Sequence, residues 1–329
     1  MTIAARKNNH IDICLREDVR SHATNGFEKY RLVHNALPEA DFDNYSVETV
    51  FLEKKISAPF VISSMTGGTE QGELINRNLI EAAAELDLPF AIGSQRIYLT
   101  DPDVKVFPYR KLAPDIPILA NAGAVQMNYG FGRDDFLRAV DMIEADALIL
   151  HFNPLQELIQ RGGDTDFSGL LCKIESLCRD FPVPVVAKEV GWGISCDAAI
   201  KLRDAGISMI DVAGAGGTSW TRVESRIDGN AGMISLAAAF DDWGIPTAEC
   251  LQSIHDMDAS IPLIASGGIT NGVEAAKAVR LGASIAGMAA NLLPAAIEGA
   301  NAVCDVLNRT VMQYKIAMFV SSGIEKCVG

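Results

Sequence analysis

The chain has 329 residues, in which 28 lysines and arginines face 42 aspartates and glutamates, leaving a net charge of −14. That balance excludes a general nucleic-acid binder, which needs a basic face against phosphates, and it disfavours an anionic membrane surface as partner. With 49% hydrophobic residues a sizeable core can form and wholesale disorder is excluded, while 28 glycines and only 7% aromatics suit a tightly turned α/β enzyme.

Residues 1–55 are polar and charged and precede any repeating pattern. They are expected to wrap the body of the protein or reach a neighbouring subunit. From there, short apolar runs end in small or polar residues, and helical patterns lie between them. The runs are 60–64, 90–93, 118–121, 147–151, 185–189, 209–213, 263–266 and 285–288. Pro59, Pro89, Pro117, Pro184 and Pro262 stand just ahead of five of them, where a missing N–H costs the sheet nothing. Helices are expected over 74–87, 134–145, 167–181, 195–205, 247–257 and 272–281, the first from apolar Leu74, Ile75, Leu79, Ile80, Ala83 and Leu86 at a period near 3.6. Glycine closes several, as at Gly206 and Gly282. Residues 222–243 read as a long insertion after the sixth run.

Buried strands alternating with amphipathic helices imply a parallel sheet covered by helices. Eight units predict a (β/α)8 TIM barrel. A doubly wound open sheet is the alternative, but it wants Gly-x-Gly-x-x-Gly after its first strand, and the first run ends instead in Ser64-Met65-Thr66-Gly67-Gly68. No linker divides the chain, so 1–329 reads as one domain with 1–55 as an N-terminal extension. No apolar run approaches the ~20 residues of a membrane helix, and the N-terminus lacks the apolar core of a secretory signal. Cys14, Cys172, Cys178, Cys196, Cys250, Cys304 and Cys327 are scattered, with no C-x-x-C pair, so no local zinc or redox centre is encoded and a reducing cytoplasm is expected.

In such a barrel the chemistry sits where strands end. Ser64, Thr66, Ser94, Asn121, His151, Asn153, Lys188, Asp211 and Ser266-Gly267-Gly268 stand there. Glycine and small residues after the last two strands, through Gly287-Met288-Ala289-Ala290, would let backbone N–H groups approach a phosphate. The run from Asp211 to Trp220 is either a phosphate nest or a hinge. Lys188, in an apolar strand, either faces an anionic ligand or pairs with Glu189 or Asp211; facing a ligand, it would balance the negative N1–C2=O region of a reduced flavin. In His151-Phe-Asn-Pro-Leu-Gln-Glu157, helix capping alone accounts for Asn153, Gln156 and Glu157, but not for His151, which alternation turns toward the mouth. The same four side chains suit a diphosphate and its Mg2+, which is held by few carboxylates. Arg6-Lys7-Asn8-Asn9-His10 is either a solvated tail or a flexible basic arm closing over an anionic substrate.

Taken together, Arg6-Lys7-x-x-His10, Met65-Thr66-Gly67-Gly68, Gly93-Ser94-Gln95, Ala120-Asn121-x-Gly123, His151-x-Asn153-x-x-Gln156-Glu157, Lys188-Glu189-Val190-Gly191, Gly216-Gly217-Thr218, Ala265-Ser266-Gly267-Gly268 and Gly287-Met288-Ala289 resemble the type 2, FMN-dependent isopentenyl-diphosphate delta-isomerases. The first and fifth motifs together are specific to that family; most others are shared among FMN barrels. The resemblance implies interconversion of isopentenyl and dimethylallyl diphosphate. It implies FMN contacts at Ser64, Met65, Thr66, Gly67, Ser94, Asn121, Lys188, Thr218, Gly267, Gly268, Ala289 and Ala290. It implies diphosphate contacts at Arg6, Lys7, His10, Arg96, His151, Asn153 and Gln156, Mg2+ at Glu157, and catalytic roles for Gln156, His151 and Lys188. Reduced FMN, NADPH as reductant and a homotetramer or homo-octamer are implied as well. Phe152 and Ala290 depart mildly from the family pattern, and the segment after Gln313 carries no assignment.

Double-bond migration needs one proton added and another removed, yet the mouth offers no spare carboxylate pair. That shortage points to N5 of reduced FMN as acid and base. Two alternatives compete. An FMN-dependent oxidoreductase would need a run such as His-Gly-x-Arg-Gln, which is absent. A non-catalytic flavin barrel would lack Gln156, Glu157 or the Arg6-Lys7 pair, and all are present.

Overall fold

Eight parallel strands close on themselves in sequence order: β1 (Phe60–Ile62), β2 (Phe90–Ala91), β3 (Ile118–Gly123), β4 (Ala147–His151), β5 (Val185–Lys188), β6 (Met209–Asp211), β7 (Leu263–Ala265) and β8 (Ala283–Met288), with β8 pairing back onto β1. This computed structural model describes residues 2–101 and 103–322; Cys327 lies outside them. The expected (β/α)8 barrel is therefore the fold. The strand-leading prolines also serve the ladder. Pro59, Pro89, Pro117, Pro184 and Pro262 offer their carbonyls to the N–H groups of Ala286, Ile62, Phe90, Leu148 and Ile210 at 2.9 or 3.0 Å.

Side chains alternate across each strand. Val61, Ala91, Leu119, Ile149, Val186, Ile264 and Ile285 form a buried cluster separate from the larger one beneath the helices. This inner cluster is the filled interior of the barrel. Phe51 and Ile56, from the antiparallel hairpin Thr49–Phe51 and Lys54–Ile56, join it and plug the end where the strands begin. The opposite end, where the strands finish, is left for the site. There the register sets His151 beside Lys188 and Lys188 beside Asp211.

The expected helices are present, with Thr247–Met257 matching at both ends. The first begins earlier, as Glu70–Glu85, because Thr69 Oγ1 accepts the Gly72 N–H and two acidic residues occupy its polar first turn. Three segments hold helices that the sequence patterns did not assign. Residues 3–16 are neither a frayed tail nor a flexible arm but a helix, Ile3–Arg16, capped by Thr2. Ile11 is its one buried side chain, while Ala4, Cys14 and Leu15 on the same face pack partly buried against the core, a sparse stripe broken by the polar run Arg6-Lys7-Asn8-Asn9-His10. Within the 222–243 insertion fall most of one helix, Trp220–Asp228, and all of another, Ala231–Ala238; the first buries Thr221, Glu224 and Ser225 alongside Val223. The unassigned C-terminal segment lies partly in a 20-residue helix, Ala300–Phe319.

Candidate active site

Continuing the inward alternation by one step places Asn121, His151, Lys188, Asp211 and Ser266 in a polar layer above the apolar interior. Lys188 Nζ lies 3.3 Å from Asp211 Oδ2, 3.1 Å from the Glu189 carbonyl and 3.3 Å from Ser266 Oγ, and Ser266 Oγ donates to Asp211 Oδ1 at 2.5 Å. Lys188 thus pairs with Asp211, not Glu189, while still facing the mouth. Glu189 turns outward, where its Oε2 accepts the N–H groups of Val190, Gly191 and Trp192, each at 2.6 Å. Burial pushes its carboxyl up to about 7 against the pull of those hydrogen bonds. Glu189 accordingly shapes the loop after β5 and is not a ligand group.

His151 Nδ1 lies 2.7 Å from Asn121 Oδ1, and Asn121 Nδ2 donates to Ser64 Oγ at 2.7 Å. Burial, then the cations Lys188, Lys7 and Arg96, hold the imidazole down at about 4, so it is neutral near pH 7. An amide oxygen against Nδ1 requires the proton there, which leaves the Nε2 lone pair available to a ligand.

A second polar cluster gathers around the helix Pro154–Ile159. Glu224, buried on Trp220–Asp228, accepts from Gln156 Nε2 at 2.9 Å and lies 2.8 Å from His10 Nε2 through the same oxygen. Glu157 accepts from Asn153 Nδ2 at 3.0 Å, from the Asp164 N–H at 2.8 Å and from Gln160 Nε2 at 3.3 Å. Burial raises its carboxyl above the usual range. Gly163 permits this wrap, since a Cβ there would lie 2.1 Å from the Glu157 carbonyl. Asp164 meanwhile holds Arg96 at 2.7 Å and Gln126 at 2.9 Å.

The N-terminal helix lays its cations across the same mouth. Lys7 Nζ donates to the carbonyls of Gly67 at 2.7 Å and Ser94 at 2.8 Å, and Arg6 donates to the Arg161 carbonyl at 3.0 Å. Desolvation lowers the Lys7 ammonium to about 8, partly offset by Glu73. His10 packs edge-on against Trp220, with ring centroids 5.2 Å apart.

Thr66, Gly67, Ser94, Thr218, Gly267, Gly268, Ala289 and Ala290 follow strand ends around this mouth, as do Ser64 and Met65. Backbone meets backbone among the glycines. A Cβ on Gly267 would stand 2.2 Å from the Gly214 carbonyl, one on Gly268 2.4 Å from the Gly216 carbonyl, and one on Gly93 2.2 Å from the Thr66 carbonyl. Gly267 and Gly268 also have φ of +104° and +74°. Buried Ser63 Oγ, Arg96 Nε and Asn153 Oδ1 have no hydrogen-bond partner among the described residues. The Ser63 hydroxyl and the Arg96 Nε–H are donors that fit a polar anionic ligand, whereas Asn153 Oδ1 is an acceptor that would need a donor or a cation. For a metal, no group of three or more His, Cys, Asp or Glu is arranged to hold an ion among the described residues. Glu157 alone fits Mg2+ only if the substrate diphosphate supplies further oxygens.

Sequence reasoning missed Glu224, Asp164, Glu73 and Tyr98. The first two complete the Gln156 and Arg96 environments from distant segments, and no local motif announces them.

Residues 165–326 match the FMN-dependent dehydrogenase family. An isopentenyl-diphosphate delta-isomerase of Nostoc sp. is 50% identical over 96% of this chain and 91% of its own length, and one from Pseudescherichia vulneris is 50% identical over 96% and 92%. A third, from Stutzerimonas stutzeri, is 47% identical over 98% and 94%. Among solved structures, a mandelate oxidase aligns with TM-score 0.66 at 18% identity over 99% of this chain and 96% of its own. A flavocytochrome b2 aligns with TM-score 0.69 at 15% identity over 97% and 80%. These structural matches carry the fold alone.

Proposed function

The chain belongs to the type 2, FMN-dependent isopentenyl-diphosphate delta-isomerases, and on that premise we propose how its mouth performs a proton-neutral shift of a double bond. The observation that carries the reading is that the strand-end mouth holds two polar clusters, one with His151 and Lys188 and one with Gln156 and His10, and that the N-terminal helix reaches it through Lys7 as well as His10.

Ser64, Met65, Thr66, Gly67, Ser94, Asn121, Lys188, Thr218, Gly267, Gly268, Ala289 and Ala290 would hold FMN. Bound in its reduced form, FMN would supply acid–base chemistry at N5. Lys188 places a cation, already oriented by Asp211 and Ser266, where it can stabilise negative charge in the mouth. Neutral His151 offers Nε2 as an acceptor or, once protonated by substrate binding, as a donor to the diphosphate. Asn153 and Gln156 orient that group from the start of the helix Pro154–Ile159, with Arg6, Lys7 and Arg96 supplying charge from the side and His10 a further polar contact. Glu157 would take Mg2+ on the diphosphate. The extension 1–55 thereby belongs to the substrate site of a single-domain enzyme.

NADPH as reductant, a homotetramer or homo-octamer and a cytoplasmic location complete the reading and are supported by the family resemblance. No helix among the described residues is long and apolar enough to cross a membrane. The test is conversion of isopentenyl diphosphate by purified protein supplied with FMN, Mg2+ and NADPH. Product formation that needs all three upholds the reading; a protein that takes up no FMN overturns it.

A further inference from the structure

One peptide unit in the loop after β1 is held at both ends. The carbonyl of Gly67 accepts from Lys7 Nζ at 2.7 Å, and the N–H of the same peptide, belonging to Gly68, donates to Tyr98 Oη at 2.7 Å. Tyr98 Oη in turn donates to Glu73 Oε1, and the other carboxylate oxygen of Glu73 accepts from Tyr109 Oη at 2.8 Å. Ammonium, carbonyl, N–H, hydroxyl and carboxylate thus form one chain in which every dipole points the same way. Hydrogen bonds aligned in this manner polarise one another. The peptide needs such a clamp: both residues are glycines, with φ of +158° and +77°, so no side chain biases the orientation of the unit between them. Ile97 also bars a side chain at the second position, since a Cβ on Gly68 would lie 1.9 Å from Ile97 Cγ2. The preceding carbonyl, of Thr66, is held separately by Asn76 Nδ2 at 3.0 Å.

We propose that Glu73 and Tyr98 are positioning residues which, with Lys7 at the other end, fix the Gly67–Gly68 peptide and thereby couple the N-terminal helix to the flavin loop. Lys7 also holds the carbonyl of Ser94, so its ammonium ties together two strand-end loops of the candidate cofactor site. Movement of Lys7 toward a bound diphosphate would free one end of the peptide, and the flavin loop would register it. The proposal rests on the reading that this loop holds FMN.

The test is a double-mutant cycle on FMN affinity, measured by flavin fluorescence quenching in protein stripped of FMN, with hydrogen exchange followed at the Gly68 amide. Tyr98→Phe and Lys7→Met should each weaken FMN binding by about tenfold, the scale of one charge-assisted hydrogen bond. The double variant should be little worse than either single one, because both act on the same peptide. Exchange of the Gly68 N–H should accelerate in Tyr98→Phe. Glu73→Gln, which preserves shape and removes charge, serves should Tyr98→Phe fail to fold; native far-UV circular dichroism with about threefold weaker FMN binding is expected. Wild-type affinity in Tyr98→Phe or, in its place, in Glu73→Gln would overturn the proposal, as would full additivity in the cycle. A wild-type chain that binds no FMN would instead sink the cofactor reading itself.

Discussion

Glu224 accepts a hydrogen bond of 2.9 Å from Gln156, across 68 residues of sequence, with the oxygen that also faces His10 at 2.8 Å. One buried carboxylate therefore sets the orientation of two side chains assigned to the substrate. Gln156 is held at both ends, its NH2 group donating to Glu224 and its amide oxygen accepting from Asn153 Nδ2 at 3.1 Å, so Glu224 fixes which way round the amide lies.

Glu224→Ala should leave both partners without their acceptor. We expect a ten- to hundredfold loss in kcat/KM, corresponding to about 1.5–3 kcal/mol for a hydrogen bond to a charged group. FMN affinity should stay within a factor of two or so. Steady-state kinetics beside a flavin titration would check this, and equal losses in both would mean that Glu224 merely supports the fold.

This carboxylate also marks how far the sequence could be read. The barrel was legible because alternation inside each strand and a 3.6 period between strands repeat locally. Alternation likewise turned His151 toward the mouth and let only one of Lys188 and Glu189 face inward; in the structure Lys188 stands beside His151 and Asp211. The open choice of partner for Lys188 closed on Asp211, a contact between adjacent strands that only the register reveals. Glu224 was not legible, because its helix is recognised by what it buries, and it buries hydroxyls and a carboxylate. The N-terminal helix escaped because its apolar face is sparse, only Ala4, Ile11, Cys14 and Leu15, and the polar contacts of Lys7 and His10 supply the rest of its anchoring.

Glu157 offers a prediction about metal. Glu157→Gln should raise the Mg2+ concentration needed for half-maximal activity at least tenfold while sparing FMN binding, since its neighbours Asn153 and Asp164 remain. If the carboxylate only serves the helix start, stability drops by ~0.3–1 kcal/mol and the Mg2+ dependence stays put.

Lys188→Met should leave Asp211, 2% exposed, as an uncompensated buried charge. Removing one partner of such a pair costs about 3–5 kcal/mol. Adding Asp211→Asn should recover much of that stability without recovering affinity for reduced FMN. Urea unfolding and anaerobic flavin titration separate the two effects; restored binding in the double variant would deny Lys188 its proposed role.

His151 makes a pH prediction with a definite sign. Its folded value, about 4, lies below the ordinary 6.5, so the unfolded chain takes up a proton first as pH falls. The stabilisation is complete above pH 6.5 and is lost between there and pH 4. Glu189, raised to about 7, acts in the opposite direction, so the wild-type curve alone does not isolate either group. Compared with wild type, His151→Asn should lose roughly 2 kcal/mol less stability between pH 7 and pH 5. Parallel curves would show that the imidazole titrates normally.

Deleting residues 1–7 removes Arg6 and Lys7 together. If Arg6 and Lys7 make the charge-assisted contacts to the diphosphate proposed above, substrate KM should rise by at least tenfold, while the barrel's circular dichroism stays native. Unchanged saturation would show that the helix does not touch substrate.

The most direct test of the account is isotopic. In heavy water, with FMN, Mg2+ and catalytic NADPH, dimethylallyl diphosphate formed by this chain should carry deuterium from solvent, and many turnovers should follow each NADPH oxidised. With 4-deuterated NADPH in ordinary water, no label should reach carbon. One NADPH consumed per product, or full activity with oxidised FMN and no reductant, would contradict a proton-neutral shift at this mouth.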